Sequence, residues 1–135
     1  MTGANIIHLP WPPKELSPNS RKDRRSTTDK RRGYREAGFF AAKAAGVVVP
    51  ADAKLSIMFY PPDAVRRDLD NMLASIKAGL DGIAQASGVD DYGWSLSIER
   101  KEKIKGGAVL VQVATDNGWQ SIGDVAAKMI EGAVE

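Results

Sequence analysis

Residues 54–93 have the sequence KLSIMFYPPDAVRRDLDNMLASIKAGLDGIAQASGVDDYG, and this stretch decides the fold. In its first seven residues, apolar and polar side chains alternate well enough to predict a strand. The two prolines that follow end this strand. Residues 71–87 carry apolar side chains at steps of three and four, which predicts an amphipathic helix ending at Gly88. These apolar side chains are Leu73, Ile76, Leu80 and Ile83. The stretch therefore predicts a strand, a charged connection, a helix and a tight acidic turn.

Upstream of this stretch, the sequence predicts one strand and one long helix. Residues 5–9 are short, apolar and rich in β-branched side chains, which is typical of a strand that Pro10 ends. Residues 14–25 have few apolar side chains and predict a loop. A helix is predicted from a cap at Ser26, Thr27 or Thr28 to about Ala45.

Downstream, the sequence predicts two strands and a last helix. Residues 94–103 alternate as a strand, Lys105-Gly106-Gly107 is a strong hairpin signal, and residues 108–114 are predicted to return as the partner strand. Residues 121–134 have an amphipathic pattern and predict a final helix. The order β-α-β-α-β-β-α predicts a single α+β domain over residues 1–135, with one small mixed β-sheet and packed helices.

The composition is typical of a globular protein and excludes several classes of site. The 135 residues are 43% hydrophobic and 27% charged, a balance that disordered chains lack. Because the chain has no cysteine, disulfides, thiolate metal sites and cysteine nucleophiles are excluded, and the sequence has no P-loop. No apolar run approaches the roughly 18 residues of a membrane span, and the first 13 residues lack the pattern of a signal peptide. We therefore expect no membrane association and a cytoplasmic location.

The small net charge of +2 hides a polarised chain. Residues 14–35 hold nine Lys or Arg and three Asp or Glu, which gives +6 over 22 residues and leaves −4 for the rest. Such a run is often only a solvated loop and helix face. Beside a phosphodiesterase site it would instead contact DNA phosphates. The best candidates for DNA contact are Arg21, Arg24, Arg25, Arg31 and Arg32.

Two pairs of carboxylates flank the predicted helix of residues 71–87. Asp68 and Asp70 are two positions apart, so in an extended chain they point the same way. Asp90 and Asp91 follow some twenty residues later, where the helix can return the chain to the first pair. Because His8 is the only histidine, a metal would be held by oxygen ligands, which favours Mg²⁺, with Mn²⁺ as a substitute.

A metal centre of this kind suits phosphodiester hydrolysis, since it activates water and stabilises the extra charge on the phosphate. The adjacent Arg66 and Arg67 would neutralise the carboxylates or reach a phosphate. The structural alternative is that Asp70 or Asn71 caps the helix and that the later acidic pair consists of ordinary turn residues. The residues alone leave both interpretations open.

Lys77 is predicted to lie on the same side of the helix as Asp70. At 100° per residue, Asp70, Lys77 and Asp81 fall within about 40° of one another. Lys77 and Asp81 are four positions apart and can form a surface ion pair worth only tenths of a kcal/mol. The functional alternative is a lysine that binds the scissile phosphate or stabilises the leaving group.

The motifs of this sequence and their order along the chain resemble those of the RusA-type Holliday junction resolvases. This family consists of endonucleases (crossover junction endodeoxyribonucleases) common in bacteria and their phages. The resemblance covers residues 6–113, and residues 116–135 lie outside it as a predicted helical extension. Its most specific part is Arg67-Asp68-Leu69-Asp70-Asn71, then Lys77, Asp81-Gly82-Ile83 and Val89-Asp90-Asp91. The earlier motifs are Leu9-Pro10-Trp11-Pro12-Pro13, Ser17-Pro18-Asn19-Ser20-Arg21 and Tyr34-Arg35.

The resemblance implies a RusA-like fold and a Mg²⁺-dependent homodimer that resolves four-way junctions and similar branched DNA by paired symmetric nicks, in recombination and repair. The family's metal-binding carboxylates carry over to Asp68, Asp70 and Asp91, with Asp90 as their acidic neighbour. The family's essential Lys carries over to Lys77, seven positions after Asp70. The family often has this Lys four positions after the Asp, where this chain has Ala74. The resemblance also implies a bacterial, phage or prophage protein.

Two other functions are compatible with the same residues. A non-catalytic nucleic-acid-binding module, such as a degenerate nuclease, would keep the basic segment but show no metal-dependent cleavage. A metal-dependent phosphatase or nucleotide hydrolase would act on small molecules, and its binding would lack the steep salt dependence of a junction binder.

Overall fold

The structure is a computed structural model, and it describes residues 5–18 and 24–114. The predicted helix of residues 121–134 and the candidate DNA contact Arg21 lie outside the described residues. Within them, no helix is both long enough and apolar enough to cross a membrane.

Four strands form one mixed sheet. They are β1 (Ile6–Leu9), β2 (Lys54–Tyr60), β3 (Ser95–Arg100) and β4 (Ala108–Val113), in the spatial order β1-β4-β2-β3. The strand β4 is antiparallel to both β1 and β2, whereas β2 and β3 are parallel. The expectation of a small domain with one mixed sheet and packed helices is therefore confirmed.

The predicted pairing of the last two strands is wrong, because β3 and β4 are separated by β2. After β3 the chain crosses the end of β2, where the Lys101 amide donates to the Phe59 carbonyl at 2.8 Å and the Ile104 amide to the Pro61 carbonyl at 2.9 Å. Gly106 and Gly107, at φ 81° and 67°, then turn the chain into β4. The physical reason is burial: β4 is buried on both faces and takes an inner position, whereas β3 exposes most of its residues and takes an edge.

Three helices pack on one face of the sheet. They are α1 (Arg24–Ala45), α2 (Leu69–Ser75) and α3 (Lys77–Ser87), of which α1 begins slightly before its predicted cap. α2 and α3 together connect the parallel strands β2 and β3. The core between helices and sheet includes Tyr34, Met72, Leu80 and Ile83 from the helices and Ile7, Leu9, Leu55, Ile57, Phe59, Val109 and Val111 from the strands.

The single helix predicted over residues 71–87 is wrong, because the chain breaks it at Ile76. There φ is −101° and ψ is 4°, and the Ile76 amide bonds to the Leu73 carbonyl at 3.2 Å instead of continuing the α-helical pattern. The Ser75 hydroxyl donates to the Asn71 carbonyl at 2.8 Å, a back-bond that bends helices. Lys77 is therefore the first residue of a new helix, and its position relative to Asp70 is not that of one continuous helix.

Glycines let α3 approach α1 closely. A Cβ atom at Gly38 of α1 would overlap the Gly79 carbonyl oxygen of α3, and one at Gly82 would overlap the Arg35 carbonyl oxygen of α1. Gly79 also has no room for a Cβ because the Tyr34 ring lies against it. The backbone of α3 is thus fixed on α1, and this contact sets the position of the residues at both ends of α3.

Candidate functional site

The Lys77 ammonium joins two carboxylates at the start of α3. Its Nζ atom lies 2.6 Å from Asp91 Oδ2 and 3.1 Å from Asp81 Oδ1. Asp81 is one helical turn further along α3, and Asp91 belongs to the turn after α3, fourteen residues from Lys77. We call Lys77, Asp81 and Asp91 the paired cluster.

The turn that carries Asp91 is shaped by its neighbours. Gly88 ends α3 in the left-handed conformation at φ 72°, which lets the chain reverse. Asp90 Oδ1 then accepts a hydrogen bond from the Tyr92 amide at 2.9 Å and caps a short 3-10 helix over Asp91–Gly93. Asp90 therefore acts as a turn residue, as the structural alternative expected, while the side chain of Asp91 is directed to Lys77.

The charges of the paired cluster stabilise one another. The hydrogen bond to Asp91 raises the pKa of Lys77 above its usual value. The same bond holds the pKa of Asp91 below the usual value of a carboxyl group. Both directions favour the charged forms near neutral pH, so Lys77 is a cation held between two anions.

Asp68 and Asp70 lie at the start of α2, and their surroundings are different. Asp68 is the N-cap residue of α2: its carbonyl oxygen accepts from the Met72 amide at 3.0 Å, but its side chain makes no capping bond. The expectation that Asp70 or Asn71 would cap the helix is therefore wrong. Asp70 Oδ1 accepts from the adjacent Asn71 amide at 3.0 Å. Both carboxylates are exposed, and neither has an ion-pair partner in the described part of the chain.

The described residues contain no group of three His, Asp or Glu close enough together to hold a metal ion. The structure brings Asp81, Asp91 and Lys77 together, but it does not join Asp68 and Asp70 to them in such a group. Leu73, three residues after Asp70, lines a cavity of about 600 Å³ with Lys77 and Asp91. One turn of α2 thus separates Asp70 from the wall of that cavity.

The donor chemistry of these residues fits a hard divalent cation. All the candidate ligands are carboxylates, which Mg²⁺ and Mn²⁺ prefer. In addition, Asp91 already binds a cation, the Lys77 ammonium, at 2.6 Å. A metal ion at Asp91 would therefore bind a carboxylate oxygen that is suited to cations, but it would compete with the Lys77 ammonium for that oxygen.

The candidate DNA contacts within the described residues lie on α1 and in the connection before α2. Arg31 and Arg32 are exposed on α1, and Arg32 lies 3.9 Å from Asp29, an open arrangement that leaves its guanidinium at the surface. The backbones of Arg24 and Arg25 form the first turn of α1. Arg66 is also exposed, in the connection before α2.

Arg67 is held by the protein itself, which the sequence did not indicate. Its guanidinium donates to Asp63 Oδ1 at 2.8 Å and to the Val65 carbonyl at 3.1 Å, and it lies 5.3 Å from the centre of the Trp11 ring. The hydrogen bond from Arg67 lowers the pKa of Asp63. The spacing of four between Asp63 and Arg67 is the one signal that could have predicted this pair. Arg67 thus orders the connection that leads to Asp68.

A second cavity, of about 350 Å³, borders this connection. It is lined by Trp11, Pro13, Lys14, Arg67, Asn71 and Ser75, among others. Because Asn71 lines this cavity and directly follows Asp70, the start of α2 borders an open space. The proline-rich segment after β1 forms another part of its wall.

Comparison with known proteins identifies a bacterial relative but no family. An alignment 90 residues long is 48% identical between this chain and an uncharacterized protein of Xylella fastidiosa (strain Temecula1 / ATCC 700964). The alignment covers 63% of this chain and 59% of the relative, so the chain spans less than two thirds of the length of the protein it matches. No family model matches the chain.

Proposed function

We propose that this protein is a Mg²⁺-dependent endonuclease that cuts four-way junctions and similar branched DNA, as its resemblance to the RusA-type resolvases implies. The observation that carries the proposal is the contact between Lys77 and Asp91. These are the residues to which the family's essential Lys and third carboxylate carry over. They are fourteen positions apart, and the 2.6 Å hydrogen bond between them supports our assignment of both to one site.

In this proposal, Asp68, Asp70 and Asp91 hold the metal ion, with Asp90 shaping the turn beside them. The bound ion supplies activation of the attacking water and stabilisation of the charge on the phosphate. Asp68 and Asp70 are exposed and without ion-pair partners among the described residues, so their oxygens are accessible. Lys77 is 60% exposed and is able to reach a phosphate in the adjoining cavity.

The cations outside this site would bind the DNA backbone. Arg31 and Arg32 on α1 and Arg66 before α2 are exposed and suited to phosphate contacts. Arg21, Arg24 and Arg25 remain candidate DNA contacts on sequence alone, because they precede Arg31 and Arg32 in the basic segment. Arg67 would contribute indirectly, since its guanidinium is already engaged by Asp63.

A homodimer is part of the proposal because the substrate has twofold symmetry. Two copies related by a twofold axis would present one site to each of two opposed strands, which gives paired nicks.

The experiment that tests the proposal is cleavage of a synthetic four-way junction with and without Mg²⁺. We expect paired nicks with Mg²⁺, none without it, and no cutting of linear duplex. Asp70→Asn should abolish cutting but preserve junction binding, because it removes a metal ligand and a negative charge near DNA. Glu102→Gln, which removes an exposed carboxylate outside the site, is the matched control and should cut normally. Full cutting by Asp70→Asn would overturn the site assignment.

A non-catalytic DNA-binding module is the second candidate, and two observations favour it. The described residues contain no three-carboxylate group for a metal, and Asp91 is engaged by Lys77. This candidate expects junction binding whose affinity falls steeply with salt, and no cleavage at any Mg²⁺ or Mn²⁺ concentration. The same cleavage assay therefore separates the two functions.

A further inference from the structure

We propose that the cavity of about 350 Å³ beside the start of α2 binds a nucleobase that is unstacked from the DNA. Trp11 and Arg67 would stack on the base, and Asn71 would bind its edge. Lys14 would bind a phosphate of the same strand. The inference rests on the proposed function, because it requires that the protein binds branched DNA. We call this space the tryptophan cavity.

The tryptophan cavity has a wall made of two planar groups. The Arg67 guanidinium lies over the Trp11 ring, 5.3 Å from its centre, which is within cation–π distance. Both residues line the cavity. Aromatic rings and guanidinium planes are the groups on which proteins stack unpaired bases. The wall therefore suits a flat aromatic ligand.

Contacts within the protein hold this wall in place. The Trp11 ring meets the Phe59 ring edge-on at 6.4 Å, with an angle of 81° between the planes. A Cβ atom at Gly107 would lie 3.0 Å from Trp11 Cβ, so the backbone that enters β4 packs against Trp11. Arg67 is held by Asp63 Oδ1 at 2.8 Å. Because these contacts already order both side chains, stacking on them costs little conformational freedom.

Asn71 supplies a polar group that can bind the edge of a base. It is half-buried and lines the cavity. Its backbone carbonyl accepts from the Ser75 hydroxyl at 2.8 Å, and its backbone amide donates to Asp70 Oδ1 at 3.0 Å. Its side-chain carboxamide has no hydrogen bond to another residue in the described ranges. A carboxamide offers both donors and an acceptor, which is the combination that base edges present.

The charge of the lining also favours a nucleotide. Among the described residues, the tryptophan cavity is lined by two cations, Lys14 and Arg67, and by no carboxylate. The cavity beside the paired cluster is lined by one lysine and two aspartates. Arg67 is paired with Asp63, but Lys14 is exposed and has no ion-pair partner in the part of the chain that the structure describes. The Lys14 ammonium is therefore available to a phosphate.

The position of the cavity connects it to the cut and to the choice of substrate. Asn71 directly follows Asp70, a proposed metal ligand, so a base in the cavity would belong to a nucleotide near the cleaved phosphate. Removing a base from a continuous stack costs free energy, and the cost is least where stacking or pairing is already disturbed. A branch point disturbs stacking. The cavity would therefore favour branched DNA over linear duplex.

The test is a scan of four-way junctions in which one base at a time is removed around the branch point. The affinity of each junction for the full chain is measured without divalent ions, so that no strand is cut. We expect one position at which loss of the base weakens binding by about tenfold, as for one stacked base. Asn71→Leu keeps the size of the side chain but removes the carboxamide, and it should reduce this penalty to about threefold.

Three further variants complete the scan. Trp11→Leu should also reduce the penalty, because it removes a stacking surface. Gln85→Leu removes an exposed amide of α3 that is not among the residues lining the cavity, and it should keep the full tenfold penalty. Lys14→Met should lower the slope of log affinity against log salt by about one unit, since it removes one phosphate contact.

The inference is overturned if no missing base weakens binding by the wild type, or if Asn71→Leu shows the same penalty as the wild type. Because Trp11→Leu also removes a contact with Phe59, Asn71→Leu is the deciding variant, and thermal unfolding checks that each variant is folded. An unchanged salt slope in Lys14→Met would refute the phosphate contact.

Failure of the proposed function would look different. A protein that shows the penalty for a missing base but cuts no junction with Mg²⁺ would refute the endonuclease and keep the base-binding cavity. A protein that cuts junctions but shows no such penalty would refute only this inference. A protein that binds no junction would refute both.

Discussion

The two ends of the candidate site differ in how their charges are compensated. In the paired cluster, Lys77 meets Asp91 at 2.6 Å and Asp81 at 3.1 Å. At the start of α2, Asp68 and Asp70 are exposed, and in the described ranges neither meets a cation within ion-pair distance. One end thus has its counter-charge built in, whereas the other leaves it to solvent ions or to a ligand.

The difference follows from how the two helices are held. α3 is fixed on α1 through glycines that allow backbone contact, and this fixes Lys77 and Asp81. α2 has only seven residues and is separated from α3 by the break at Ile76. Backbone contact with α1 thus supports the charges that pair with each other, whereas the exposed carboxylates are carried by a short, separate helix.

The largest expected effect comes from breaking the support of the paired cluster. Gly82→Ala puts a methyl group where the Arg35 carbonyl oxygen of α1 lies, so the two helices must separate. We expect the free energy of unfolding to fall by about 3 kcal/mol, because backbone cannot yield as a flexible side chain does. Urea denaturation followed by circular dichroism measures it.

The matched control is Gly33→Ala, on α1 but with no atom within 4 Å of the added methyl group. This variant should be more stable by about 0.5–1 kcal/mol, since alanine is the better helix former. Equal stabilities of the Gly82 and Gly33 variants would mean that close packing of α3 on α1 does not hold the paired cluster.

The elements of this fold could largely be predicted from hydrophobic periodicity, but the pairing of strands could not. The alternation of residues 54–60 and the β-branched residues 5–9 were sufficient to locate β2 and β1. The glycines at 106 and 107 correctly predicted a turn, yet the turn joins strands that are not neighbours. Local turn chemistry does not determine which strand lies beside β4, because that choice depends on burial of both its faces.

The candidate site could be predicted only in part for a similar reason. The spacing of Lys77 and Asp81 predicted their ion pair, which the structure confirms. Their relation to Asp70 could not be predicted from helix geometry, because hydrophobic periodicity reveals neither the break at Ile76 nor the side-chain bond from Ser75 beside it. The contact of Lys77 with Asp91 spans fourteen residues and depends on how the turn after Gly88 folds back.

A smaller effect is expected from removing the cation of the paired cluster. Lys77→Met leaves Asp81 and Asp91 without their shared partner, and we expect a loss of about 0.5–1 kcal/mol in the free energy of unfolding at neutral pH and low salt. The loss should shrink in 1 M NaCl, since exposed charges are screened. Arg66→Met removes an exposed cation near the start of α2 that has no ion-pair partner among the described residues, and it should change stability by less than about 0.3 kcal/mol. Similar losses in both variants would contradict the contrast between the two ends.

The smallest effect is in the pH dependence of stability, and its sign is fixed by Asp91. The bond from Lys77 lowers the pKa of Asp91 in the folded protein, so the pair contributes stability above the unfolded pKa of about 3.9 and loses it as the pH falls through the lower folded value. Asp91→Asn has no such proton to bind. Its unfolding free energy should therefore decline less than that of the wild type between about pH 5 and pH 2, measured by urea midpoints at each pH. Parallel curves for the two proteins would show that Lys77 and Asp91 are not paired in solution, and the two ends of the site would then be alike.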